Sequence, residues 1–150
     1  MQTLVTFVFK FLAALPLAWL HKLGNLLGSL GFRVLSKDRR RVFENMKLAG
    51  LNPTDEAVKK VFRETAKGGL ELPLAFFRRP EEIENLFVSV NGWEHVQTAL
   101  SAGEGLLFIT PHIGSYDLAG RYISQQLPFP LTAMYKPPKI KAFDAVMQAG

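Results

Sequence analysis

Between Thr3 and Leu20 the chain places fourteen apolar side chains in eighteen positions, broken only by Thr3, Thr6, Lys10 and Pro16. Such a segment must leave water, into a core or into lipid, before the rest of the fold is decided. A weaker apolar run continues through Leu23, Leu26, Leu27, Leu30, Phe32 and Leu35. A spanning helix needs about 20 mainly apolar residues, while Lys10 and Pro16 in mid-segment suit a helix lying in the interface. Both forms of anchor stay open, and a buried hairpin of two core helices is the alternative. Met1, Gln2 and Thr3 carry no basic side chain, which does not fit a cleaved signal peptide.

The positive charges follow the apolar run. Residues 1–50 carry eight Lys and Arg against two acids, a net +6, and the remaining residues a net −1, so the surplus behind the overall +5 is N-terminal. A basic and apolar segment fits an anionic membrane surface better than nucleic acid, which meets a basic face on a polar domain. Lys22, Arg33, Lys37, Arg39, Arg40, Arg41 and Lys47 then predict that the downstream domain lies on the cytoplasmic side. The chain has no cysteine, which excludes disulfide frameworks, thiolate metal sites and cysteine nucleophiles, and His21, His95 and His112 share no metal-ligand spacing. No metal is expected.

With 48% hydrophobic and 21% charged residues in 150, the chain has material for one compact domain. The pattern predicts a basic helix over residues 37–49 with Val42, Phe43, Met46 and Leu48 apolar, stopped at Gly50. Thr54, Asp55 and Glu56 cap a second helix with apolar positions Val58, Val61, Phe62, Gly69 and Leu72, loosened at Gly68, Gly69 and Pro73 and ended by Arg78-Arg79-Pro80. Beyond it the period alternates. Residues 86–90, 106–110 and 131–135 read as strands, and residues 92–102, 117–126 and 139 onward as helices. This predicts an α/β fold, a partial parallel sheet flanked by helices, with Leu106-Leu107-Phe108-Ile109 as a strand covered on both faces. Three strands leave poorly covered edges, so the chain is expected to be the N-terminal part of a longer protein.

The chemically informative stretch is Thr110-Pro111-His112-Ile113-Gly114-Ser115-Tyr116-Asp117. Side chains five apart on a regular helix diverge by about 140°, so His112 and Asp117 meet only if His112 sits in a turn and Asp117 in the next helix's first turn. Such a pair suits base catalysis: a neutral imidazole accepts a hydroxyl proton, and the carboxylate orients it and stabilises the imidazolium. Backbone N–H groups near Gly114 and Ser115 suit a phosphate or a developing oxyanion. Ser115 reads as a helix cap rather than a nucleophile, since no nucleophile-elbow motif surrounds it. Lys136, Lys139 and Lys141 follow a strand end, where lipid phosphates or an acidic carrier protein could meet them. His95 is expected on a helix surface, His21 at the membrane interface, and Leu118, Tyr122, Ile123 and Leu127 in the core.

Residues 90–96 (Val-Asn-Gly-Trp-Glu-His-Val) and 103–117 resemble the lysophospholipid acyltransferase superfamily, and within it the bacterial lipid A late acyltransferases of the lauroyl and myristoyl type. Residues 41–46 resemble their early Arg- and Asn-containing helix, and residues 135–139 their Tyr-Arg-Pro segment. The resemblance implies a membrane-anchoring segment at residues 1–35 and the N-terminal part of an acyltransferase domain at 36–150. It also implies transfer of a fatty acyl group from acyl carrier protein to a hydroxyl of a lipid A precursor at the cytoplasmic face of the bacterial inner membrane. His112 would be the general base and Asp117 its partner, and acyl carrier protein a donor substrate, with no cofactor. Ser115-Tyr116-Asp117 stands where many such enzymes carry Asn-Trp before Glu, which keeps lysophosphatidic acid or another lysolipid open as the acceptor. A non-catalytic membrane-binding module and a lipid hydrolase are the competing classes.

Overall fold

The computed structural model describes residues 2–134, 136–138 and 141–149, and among these every regular element is a helix. In chain order they are α1 (Gln2–Ala14), α2 (Leu17–Val34), α3 (Ser36–Leu48), α4 (Asp55–Phe77), α5 (Pro80–Glu84), α6 (Trp93–Ser101), α7 (Tyr116–Gln126) and α8 (Lys141–Ala149). The longest, α4, is the axis of the molecule: α1, α2, α3 and α7 pack on it, α5 packs on α7, and α8 packs on α1. The central core joins Leu20 of α2, Leu74 and Ala75 of α4, Ile83 of α5 and Leu118 of α7, with Leu70, Leu86, Phe87 and Tyr122 around them.

The helical expectations are met closely, because each rests on a local signal. Thr54 caps α4 as its position suggests, its Oγ1 accepting from the Ala57 N–H at 3.2 Å. Pro80 occupies the first turn of α5, where its missing N–H costs nothing. As expected, α4 runs through Pro73 and ends at Arg78, and the proline ring is buried. Burial of Pro73, Leu74 and Ala75 in one patch compensates the one lost backbone hydrogen bond. Of the apolar positions predicted for α4, Val58 is fully buried, whereas Gly69 faces outward.

The parallel sheet is not formed. Residues 86–90, 106–110 and 131–134 run as irregular chain without strand pairing, and Tyr135, the last residue of the third expected strand, lies outside the described residues. Val88 is 103% exposed, Leu107 86% and Ile109 87%, so the stretch read as a doubly covered strand is uncovered instead. A helix satisfies its own backbone, whereas a strand exists only against a neighbour that takes its N–H and C=O groups. An apolar run therefore marks a segment able to form a strand without supplying its partner.

Among the described residues no single helix is long and apolar enough to cross a membrane, although α1 and α2, bent by 117° at Leu15-Pro16, together have the length and composition to do so. Their inner faces are buried through Phe9, Ala13, Leu20, Gly24 and Gly28, and Leu4, Phe7, Phe11, Trp19, Leu26, Leu30 and Val34 are exposed on the outside. At the bend, Arg78 of α4's C-cap donates from Nε to the Ala13 carbonyl at 3.0 Å and from Nη2 to the Leu15 carbonyl at 2.7 Å. These are carbonyls at and just past the end of α1 that no helical N–H reaches. Replacing Arg78 by Ala is expected to lower stability by about 1–3 kcal/mol, through two charge-assisted hydrogen bonds lost from a partly buried site. Lys should recover only part of this, having no planar fork to reach both oxygens; urea titration of the three proteins checks the order.

Candidate functional site

After α6 the chain crosses to α7 through a loop that ends in a tight turn. The Ile113 N–H bonds the Pro111 carbonyl at 2.8 Å, and Gly114 follows at φ 64°, a left-handed conformation that a side chain would strain. The turn leaves the His112 side chain exposed and puts Asp117 in the first turn of α7. That is the arrangement the five-residue spacing requires. The loop rests on α4 with the Gly114 carbonyl over Gly68, 3.8 Å from where a Cβ there would stand.

His112 packs edge-on against Tyr116, ring centroids 4.5 Å apart. Asp117 is half-buried, and this burial raises its carboxyl above the ordinary aspartate range, with the nearby His112 charge and Tyr116 hydroxyl pulling it back. Tyr116 is raised as well, by burial first and then by the Asp117 carboxylate beside it. His112 and Asp117 are thus electrostatic neighbours, and among the described residues no direct hydrogen bond joins them. Sequence reading passed over Tyr116; its placement four residues after His112, at the start of a helix, was the available signal.

The raised carboxyl has a consequence for stability. A native state that holds the Asp117 proton more tightly than the unfolded chain loses stability as pH rises from the ordinary aspartate value through the raised one. Asp117→Asn should remove this loss. The expected result is a melting temperature at neutral pH equal to or above that of the natural protein, with the difference shrinking below the ordinary aspartate range. Melting curves from acid to neutral pH check it.

Ser115 stands at the N-cap of α7, and its side chain makes no capping hydrogen bond, contrary to expectation. It lines a cavity of about 260 Å³ together with Leu17, Glu71, Leu86, Phe87 and Leu118. The cap fails for a geometric reason: Ser115 has φ −91° and ψ 70°, outside the extended conformation that aims a cap oxygen at the N–H groups one turn on. Leu118 and Leu127 are buried and Tyr122 stacks near Phe87 with centroids 4.5 Å apart, as expected of core positions.

His21 is not simply an interfacial side chain. Its Nε2 lies 2.5 Å from Oε1 of Glu71, a residue of α4 whose side chain is 13% exposed. A partner fifty positions away leaves no mark on local sequence, so neither member of the pair was foreseen. His95 lies exposed on α6, as expected. Lys136 is exposed in irregular chain before α8, with no hydrogen bond or ion pair to His112 or Asp117, and no strand ends beside it. Lys139 falls outside the described residues, and Lys141 opens α8, the helix that packs on α1. A second concavity of about 590 Å³ lies between α3 and the start of α4, among Lys37, Arg39, Arg40, Phe43 and Lys47.

Chemically, the turn and helix present an exposed imidazole, a half-buried carboxylate and a phenol within one loop, with a partly polar cavity behind them. This set can move a proton and needs no nucleophile of its own. No curated protein and no solved structure matches the chain. The model of the bacterial lipid A biosynthesis acyltransferases matches it over residues 1–150. The chain belongs to that family, and the loop carrying His112 and Asp117 lies within an acyltransferase of lipid A biosynthesis.

Proposed function

We propose that the protein transfers a fatty acyl group from the thioester of acyl carrier protein to a hydroxyl of a lipid A precursor, with His112 as general base and Asp117 as its orienting partner. The observation that carries this is the exposed imidazole on the Pro111–Gly114 turn, directly before a half-buried carboxylate in the first turn of α7. In the reaction His112 takes the acceptor hydroxyl proton, the oxygen attacks the thioester carbonyl, and the tetrahedral intermediate expels the carrier thiolate, which takes the proton back from the imidazolium. Asp117 stabilises that imidazolium. Backbone N–H groups at Gly114 and Ser115, at the positive end of α7, are suited to the oxyanion. That no direct hydrogen bond joins His112 and Asp117 among the described residues is compatible with this role, since catalytic hydrogen bonds tighten as substrate binds.

The outward apolar face of α1 and α2, with Lys22 over the Trp19 ring at 5.7 Å, supports seating in the membrane interface. On this reading the site works at the cytoplasmic face of the bacterial inner membrane, with headgroup phosphates as the ligands proposed for Lys136 and Lys139. The test is acyl transfer in detergent micelles by the full chain, from labelled acyl carrier protein, with lipid A precursor and lysophosphatidic acid offered separately. Product on the lipid A precursor is expected. Product on lysophosphatidic acid alone would keep the base and change the acceptor, free fatty acid without acceptor would identify a hydrolase, and no product with either would point to a binding module.

A further inference from the structure

Behind the His112 loop lies a cavity whose polar groups the acyl transfer step leaves unused. Glu71 projects into it from α4 and Ser115 from the start of α7, with Leu17, Leu86, Phe87 and Leu118 as apolar walls. The Glu71 side chain is 13% exposed, and His21 is its only hydrogen-bond partner among the described residues, at 2.5 Å from Oε1. A carboxylate accepts about four hydrogen bonds, so most of its capacity is left over. The Ser115 hydroxyl, which makes no cap, lies in the same space. Such a partly buried carboxylate, facing a pocket with acceptor sites to spare, is a ready partner for hydrogen-bond donors on a ligand.

The chemistry selects what completes it. A phosphate is repelled by the carboxylate, and an acyl chain satisfies neither Glu71 nor Ser115. Hydroxyl groups satisfy both, donating to the carboxylate and exchanging a hydrogen bond with the serine. Phe87, backed by Tyr122 at 4.5 Å between centroids, gives the flat apolar wall on which a hydroxylated ring packs through its C–H face. The size agrees: about 260 Å³ lies below the range of roughly 300–1,000 Å³ for whole small-molecule sites and suits one ring rather than an entire lipid.

We propose that the cavity between α4 and α7 binds a non-phosphorylated, hydroxyl-bearing ring face of the acceptor headgroup through Glu71 and Ser115, with His21 as the positioning residue that holds the Glu71 carboxylate. The proposal rests on the acceptor-binding reading above and adds to it a specificity subsite. Ser115 is three residues from His112 along the chain, which joins the subsite to the segment that carries the base. Because His21 belongs to α2, the apolar hairpin contributes directly to the acceptor site.

The test is direct binding, with no acyl donor, of labelled lipid A precursor to the full chain in detergent micelles. Glu71→Gln, which keeps size and shape, should weaken binding about tenfold or more, the loss of one to two charge-assisted hydrogen bonds. His21→Leu should approach that loss, and His21→Gln, which restores a donor at the same reach, should recover most of the affinity. Leu17→Trp fills the cavity while sparing the carboxylate and should also weaken binding, which guards against a folding defect in the Glu71 variant; melting curves accompany each protein. Unchanged affinity in both Glu71→Gln and Leu17→Trp, or no saturable binding by the natural protein, overturns the subsite. Glu71-dependent binding without acyl transfer would instead sink the acyl-transfer reading and leave the subsite standing.

Discussion

His112→Ala should reduce acyl transfer by about 10²- to 10⁴-fold, the contribution of a positioned general base, or roughly 3–5.5 kcal/mol of transition-state stabilisation. His112 is exposed on a turn, its ring packs on the Tyr116 edge, and among the described residues no hydrogen bond uses its side chain. Removing the imidazole therefore deletes chemistry without opening a cavity, and the melting temperature should stay within a few degrees. That separation makes the experiment decisive. Transfer within a factor of a few of the natural rate would remove His112 from the mechanism, whatever the fate of the acceptor site. Asp117→Asn should give a smaller loss of rate together with the gain in neutral-pH stability derived above, since the buried carboxylate is tolerated at some cost to the fold. A residue whose replacement stabilises the protein and slows the reaction is hard to explain as structural.

The second large effect is on folding. Gly28→Ala is expected to destabilise the protein by about 1–3 kcal/mol even though Ala is the better helix former by about 1 kcal/mol. A Cβ at Gly28 would stand 2.4 Å from the Arg63 Cα and 2.6 Å from the Phe62 carbonyl oxygen, both backbone atoms of α4 that no rotamer change can move. Gly24, one turn earlier, would meet the Lys67 Cα at 3.0 Å and its flexible Cγ at 2.8 Å, a softer contact. The helices must separate to admit the methyl group at Gly28, and the packing of Leu20 against Leu74 is drawn apart with them. Gly69 is the control. It is helical and exposed, with no atom within 4 Å of its missing Cβ, so Gly69→Ala should stabilise by about 0.5–1 kcal/mol. Opposite signs in one urea titration would show that backbone approach, not helix propensity, holds α2 on α4.

These glycines show where local patterns stop being informative. Gly24, Gly28 and Gly31 look in sequence like breaks in a weak apolar run, and only the neighbouring helix makes Gly28 indispensable. Gly68 and Gly69 look alike in sequence, yet one lies under the Gly114 carbonyl and the other in open space. Pro73 reads only as a loosening of α4, and its burial in the core patch is decided by the packing around it. The bounds of α4, by contrast, were legible to within a residue or two, from the Thr54 cap at its start and Arg78-Arg79-Pro80 at its end, while α5, which Pro80 opens, was not foreseen.

The candidate site divides along the same line. The sequence by itself determined that His112 lies in a turn and Asp117 in a helix's first turn, since proline, glycine and the five-residue spacing are local constraints. It also marked α1 and α2 as strongly apolar, whereas the exposure of their outer face came from the packing. Tertiary structure alone decided that the apolar stretch at 106–110 runs unpaired, since strand formation needs a partner chain segment at hydrogen-bonding distance. It alone brought His21 to Glu71 across fifty positions and set Glu71 in one cavity with Ser115. Contacts that close a loop that long depend on how α2 and α4 dock, and docking depends on a glycine face and a core that no single stretch of sequence contains.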